Sequence, residues 1–299
     1  MQITAATLEK TLQKTATQVS GAVGELAARS IFNFWRFALA LGAFFLLTFL
    51  RQRHFSRADV VGGLVIGITF CLGILLQLIG LRYTLPSTSS FLTALSVIFA
   101  PLAQTLLFNR PLGKRTLIAV MVALAGMFIL SQPNPFATAA QTIAQTPPFP
   151  HLGEILTIVG ALLFTAQILS LDYFGQRADA TRLTLIMLLT TCVLSLIIGL
   201  FLGGGQIHRA AVFTSLLHDQ KFLACFAGLA LVSSMLSQFL MNRYQPLIAP
   251  ATASVVYCLE PVFGTLFSVA FGTERLSAIT IVGGWVIIIA VLIVARKNP

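Results

Sequence analysis

The sequence predicts an all-α integral membrane protein of about ten transmembrane helices, nine of them clear, arranged as two inverted five-helix repeats. Of its 299 residues 57% are hydrophobic and 9% charged, and the mean hydropathy is +0.91, far more apolar surface than the core of a water-soluble domain uses. Nine stretches meet or approach the roughly 20 apolar helical residues that cross a bilayer: 31 to 50, 60 to 81, 86 to 108, 115 to 131, 152 to 171, 183 to 202, 222 to 242, 248 to 271 and 277 to 295. Helix is the required form, because any other open backbone would leave its amides unpaired in lipid. The chain also matches itself at a fixed offset, which supplies the two halves.

Residues 1 to 30 precede the first clear span. Leu8, Leu12, Val19, Ala22 and Leu26 recur at steps of three, four and seven beside Lys10, Lys14, Glu25 and Arg29, the pattern of an amphipathic helix. Such a helix lies on the membrane surface or crosses as a degenerate, cavity-lining first span; crossing makes the count ten. With no continuous apolar run in this segment, a signal peptide is not expected. Residues 31 to 131 then form a first repeat. Residues 132 to 150, with five prolines and no charge, read as a linker. Residues 151 to 296 form a second repeat.

Basic residues between spans orient the chain. One set of alternate connections holds Arg51, Arg53, Arg57, Arg110, Lys114, Arg115, Arg177, Arg182, Arg243, Arg296 and Lys297; the other holds Arg82, Arg209, Lys221 and Arg275. Eleven against four places the first set, and the C-terminus, in the cytoplasm. The formal charge of +10 is thereby an orientation signal, and without an aromatic-basic motif no nucleic-acid partner is expected. Cys71, Cys192, Cys225 and Cys258 stand singly in apolar stretches, as small buried hydrophobes rather than a disulfide or zinc framework.

Gln77, Arg82 and Tyr83 align with Gln238, Arg243 and Tyr244 at an offset of 161. Pro101, Thr105 and Leu106 align with Pro261, Thr265 and Leu266 at 160. By the charge count Arg82 is outside and Arg243 inside, so equivalent helices run in opposite directions. That needs an odd number of spans per repeat, the architecture in which one half rocks against the other around a midplane site.

The stretch Ser254-Val-Val-Tyr-Cys-Leu-Glu-Pro-Val-Phe-Gly-Thr-Leu-Phe267 and the turn Gly272-Thr-Glu-Arg-Leu276 resemble the EamA-type transporters of the drug/metabolite transporter superfamily. Phe32-Asn-Phe-Trp-Arg-Phe37, Tyr83 to Thr93 and Gly153-Glu-Ile-Leu-Thr157 support the likeness, which covers residues 31 to 296. It implies a ten-helix inner-membrane carrier with a central cavity, commonly exporting amino acids or other metabolites. The sequence departs from that pattern at its start, where Met1 to Ala28 lacks the usual apolar span with a Trp-Gly-Ser-like stretch.

Several polar residues inside spans are candidates for substrate binding. Glu260, before Pro261, is an acid deep in a span, where a carboxylate costs roughly 2.5 to 3.5 kcal/mol on insertion scales. It either binds an amine or relays a proton, or, protonated, bonds a carbonyl loosened by Pro261. Arg36, expected near the outer end of its span, either binds a carboxylate, snorkels to the interface, or pairs with Glu25. Ser89, Thr93, Ser96, Ala100 and Gln104 form a small-polar stripe, with Ala253, Tyr257, Glu260 and Gly264 its counterpart; such stripes let helices approach or line a site. The amides of Gln77, Gln167 and Gln238 need partners, in a cavity or between helices. Asp172 and Asp179 read as solvated helix-end residues.

The expected function is a secondary transporter, an exporter of small polar metabolites such as amino acids, working by alternating access. Arg36, Gln77, Thr93, Gln167, Gln238, Tyr257 and Glu260 are its candidate substrate-binding residues. A lipid-linked sugar flippase and a non-transporting membrane interaction protein are the alternatives. Gly203-Gly-Gly205 lacks the Lys-Ser or Lys-Thr of a phosphate loop, and the four histidines form no catalytic motif, so neither an enzyme nor a cofactor or metal is expected. The expected partners are a small-molecule substrate, the lipid bilayer and, in a homodimer, a second copy.

Overall fold

A computed structural model describes residues 25–49, 54–84, 86–109, 111–132, 151–202, 220–270 and 277–295. Residues 1–24, most of the predicted linker, the triple glycine and the Gly272–Leu276 turn lie outside the described residues, and with them the question of a crossing first segment. All nine predicted stretches are helical: α1 (Glu25–Thr48), α2 (Arg57–Tyr83), α3 (Pro86–Ala94), α4 (Ser96–Phe108), α5 (Lys114–Leu130), α6 (Leu152–Gly175), α7 (Ala180–Leu202), α8 (Gln220–Gly228), a π-helical segment (Leu229–Leu236), α9 (Ser237–Tyr244), a 3₁₀ turn (Gln245–Leu247), α10 (Pro250–Tyr257), α11 (Leu259–Ala270) and α12 (Ala278–Ala295). Among the described residues there is no strand. Among the described residues seven helical stretches are long and apolar enough to span a bilayer. The chain is an all-helical, multi-span membrane protein.

The predicted spans 86 to 108 and 248 to 271 differ from single long helices for physical reasons. The stretch 248 to 271 is two helices that meet at Cys258, because Pro261 lacks the N–H that would bond the Tyr257 carbonyl one turn back. The chain tightens there, with Cys258 N–H donating to Val255 O at 3.2 Å. An interruption also falls at Leu95, before Pro101, where Ile98 N–H donates to Leu95 O at 2.9 Å. The first described helix starts six residues earlier than predicted, at Glu25; the polar residues at its head mask its continuity in a hydropathy scan.

The chain divides into two compact units. The first holds residues up to Cys71 and Tyr173–Tyr244; the second holds Leu72–Asp172 and the chain from Gln245 onward. In the first unit α1 packs along α7 and the π-helical segment. Phe37, Ile66, Leu183, Met187 and Leu188 are wholly buried, and the Phe37 and Phe70 rings meet edge to face at 5.8 Å. One end of this unit is fixed by Asp59, which is 1% exposed. Its Oδ2 accepts from Ser56 N–H at 2.7 Å while Ser56 Oγ accepts from Asp59 N–H at 3.1 Å, a capping box on α2. Its Oδ1 accepts from Asp179 N–H at 2.8 Å, and Arg182 lies 3.5 Å from Oδ2, so the starts of α2 and α7 are tied together.

In the second unit α5 and α12 cross at two glycines. A Cβ on Gly126 would stand 2.7 Å from Ile287 Cγ1 and 3.1 Å from Gly283 O, and one on Gly283 3.0 Å from Leu130 N. Close backbone approach through small residues is how helices associate where no hydrophobic effect drives them. Around the crossing Val97, Ala119, Ala123, Met127, Val255, Ile287 and Ala290 form a core. Of the cysteines, Cys71, Cys192 and Cys258 are buried as expected, but Cys225 is exposed.

Gly126→Leu should therefore lower the stability of the purified protein by about 1 to 3 kcal/mol through overpacking. Gly42→Ala should be neutral or stabilising, because nothing lies within 4 Å of a Cβ there. Denaturation of both variants in the same detergent, followed by helical circular dichroism, checks the pair; equal losses would rule the crossing out as a stability determinant.

Candidate functional site

The predicted residues fall into both units, Arg36 and Gln238 in the first, Gln77, Thr93, Gln167, Tyr257 and Glu260 in the second. In the second unit Gln77 and Thr93 meet: Gln77 Nε2 donates to Thr93 Oγ1 at 3.0 Å, and Thr93 Oγ1 donates to Ser89 O at 2.9 Å. The amide of α2 thus ties to the end of α3, just before the interruption at Leu95. Gln104, at the far end of the same stripe, is buried and its Oε1 accepts from Ala251 N–H at 3.1 Å. It satisfies one of the free amides at the start of α10, a packing role rather than a lining one.

Tyr257 is fixed by a residue that the sequence reading passed over. Its hydroxyl donates to Gln245 Oε1 at 2.5 Å, and Gln245 Nε2 donates to Ile168 O at 2.9 Å. Gln245 is buried in the turn before α10, so it joins α6 to the end of α10. Gln167, beside Ile168, is 2% exposed. Glu260, in the first turn of α11, is exposed. One turn along, a Cβ on Gly264 would meet nothing within 4 Å, so this face of α11 is open.

In the first unit Arg36 is the twelfth of the 24 residues of α1, mid-helix rather than near the outer end. Glu25 belongs to the same helix eleven residues away, about 16 Å of rise, too far for the pairing weighed from sequence. Snorkelling is not what the side chain does either. Arg36 Nε donates to Ser234 Oγ at 2.6 Å and Nη2 to Ser233 Oγ at 3.2 Å, both on the π-helical segment. Gln238, one turn beyond Ser234, is 7% exposed and its Oε1 has no partner among the described residues. Asn242, one further turn on, donates to Thr184 Oγ1 at 2.9 Å. The serine pair was the missed signal: adjacent hydroxyls in the middle of an apolar span. Asp172, expected to be solvated, is buried at 2% exposure.

The EamA-like transporter family matches the chain twice, over residues 18–132 and 151–296. The chain belongs to that family. Its first match begins at residue 18, ahead of the resemblance read from motifs, which starts at 31. An uncharacterized transporter of Archaeoglobus fulgidus is 28% identical over 268 residues, 89% of this chain and 76% of that protein. A protein of known crystal structure shares the fold with a TM-score of 0.67 at 16% identity, over 98% of this chain and 94% of the other. As an EamA-like protein, this chain is a membrane transporter.

Tyr257→Phe should cost about 1 kcal/mol of stability, the value of one hydrogen bond. Gln245→Leu should cost more, since it strips partners from both Tyr257 and Ile168. Denaturant titration in detergent separates the two; a Gln245→Leu protein as stable as the parent would show that the link is not structural.

Proposed function

We propose that the protein is a secondary transporter that exports small polar metabolites, amino acids among them, across the cytoplasmic membrane by alternating access of two inverted halves. The observation that carries this reading is Glu260. It is a carboxylate inside a predicted span, yet its side chain is exposed, on the open face of α11. A carboxylate is too costly to face lipid, so Glu260 itself borders water or substrate. The aligned prolines 101 and 261, each with an interrupted helix before it, support paired discontinuous helices at a midplane site, as inverted-repeat carriers use. Family membership and the transporter relative support the same class.

In this reading Glu260 relays protons or pairs with a cationic substrate group; Gln77, Thr93, Gln167 and Tyr257 are the other substrate-binding residues of the second unit, and Arg36 and Gln238 those of the first. The eleven basic residues of the alternate connections favour a cytoplasmic C-terminus.

Reconstituted in liposomes, the protein should move a polar metabolite under a pH gradient, and Glu260→Gln should flatten the dependence of flux on pH. Flux with the parent's pH profile in that variant would remove Glu260 from the mechanism.

A further inference from the structure

Arg36 is a half-buried guanidinium at the middle of α1, roughly 16 Å of helix from either end. Two of its five N–H donors are spent on the neutral hydroxyls of Ser234 and Ser233. No carboxylate among the described residues pairs with it, although an unpaired charge in an apolar bundle is costly. Below it lies the Phe37 ring, 5.2 Å from the guanidinium carbon to the centroid, which adds attraction but no counter-charge. The serines also orient it. Ser234 Oγ donates back to Leu229 O, five residues earlier, at 3.2 Å, a bond that the π-helical ladder makes possible, leaving its lone pairs for Arg36. Single-turn π segments are frequent at functional sites. One turn beyond Ser234, Gln238 presents a buried acceptor oxygen without a donor.

Resting on the transporter reading above, we infer that Arg36, held by Ser233 and Ser234, is the subsite for a carboxylate of the transported metabolite, and that Gln238 Oε1 accepts a hydrogen bond from a donor elsewhere on that metabolite. The complement of this site is fixed by what it lacks. The edge of the guanidinium that bonds nothing among the described residues presents donors in a planar fork that fits an oxyanion, and Gln238 Oε1 accepts an N–H or O–H. A small hydroxy or amino acid carries both. A lipid headgroup such as phosphatidylglycerol shares this chemistry, with a phosphodiester oxyanion and hydroxyl donors, so the test has to separate it from a free acid.

The test uses the full chain in phosphatidylcholine nanodiscs, with thermal stabilisation as the readout, since a ligand bound only by the folded state raises apparent stability. The probes are lactate and alanine, with lactamide and alaninamide as partners that keep the donor and lose the carboxylate. The acids should stabilise and the amides should not. Arg36→Gln should weaken the response to the acids about tenfold or more, as loss of a charged hydrogen bond does. Arg36→Lys keeps the charge without the fork, so it controls for folding and should recover part of the response. Equal stabilisation by acids and amides, no stabilisation by either acid, or an undiminished response in Arg36→Gln would overturn the subsite. So would an Arg36-dependent shift caused by phosphatidylglycerol alone, with the acids adding nothing. Flux into liposomes keeps the two readings apart. Transport of neutral or cationic metabolites that Arg36→Gln leaves intact retains the transporter and removes the subsite, whereas no flux of any metabolite removes the transporter even if the acids still bind.

Discussion

Within hydrocarbon no water is at hand to bond a backbone amide or carbonyl, so every span must close its own hydrogen-bond ladder. The rest of this structure follows from where that ladder is broken. Three places break it among the described residues: Leu95, Cys258 and the π-helical segment from Leu229 to Leu236. Each lies beside polar side chains that would otherwise be expensive to bury. Thr93 next to Leu95 holds Gln77; Tyr257 next to Cys258 holds Gln245; Ser233 and Ser234 hold Arg36. An irregular backbone is tolerated at membrane depth only where protein or an aqueous cavity surrounds it.

Between those places, packing is done by small residues rather than by large cores. Gly62, Gly63 and Gly67 leave less than 3 Å between a would-be Cβ and the side chains of Phe174, Ile186 and Thr190, and Gly126 meets Gly283 in the same manner in the other unit. Lipid is as apolar as leucine, so association gains little from burying leucine and much from backbone proximity and dispersion. The many exposed large apolar side chains, such as Leu46, Leu106 and Phe201, accord with this: they are solvent-facing residues for a solvent that is itself hydrocarbon.

The spans were legible because a 20-residue apolar run has few other uses, and Gln77, Thr93, Gln238 and Glu260 because a polar residue in such a run is conspicuous. Other features were not. Gln245 escaped notice because it sits in a turn, where a glutamine looks solvated, and only the fold brings it under Ile168. The depth of Arg36 was misjudged because Glu25 and Arg29 lower the hydropathy of the first turns of α1, so the span appeared to begin at 31. The buried state of Asp172 and the capping of α10 by Gln104 are tertiary events with no local signature. Ser233 and Ser234 carried a readable signal, since adjacent hydroxyls in an apolar run leave helical bonding to their own carbonyls as the default, and a change of helical pitch is one alternative.

Gln77 and Gln238 stand at aligned positions of the internal repeat, yet they are bonded differently. Gln77 is engaged with Thr93, while Gln238 is buried with its acceptor open. A buried amide oxygen without a donor costs free energy of the order of 1 to 3 kcal/mol, and the bond that Gln77 makes, through its donating Nε2, would not meet that demand. Asn242, one turn from Gln238, donates to Thr184 while its own Oδ1 is likewise without a donor among the described residues. The first unit also leaves Arg36 without a carboxylate partner among the described residues. Among the described residues, Arg36 without a carboxylate and Gln238 Oε1 without a donor are the two demands that a ligand carrying both an oxyanion and an N–H or O–H would meet.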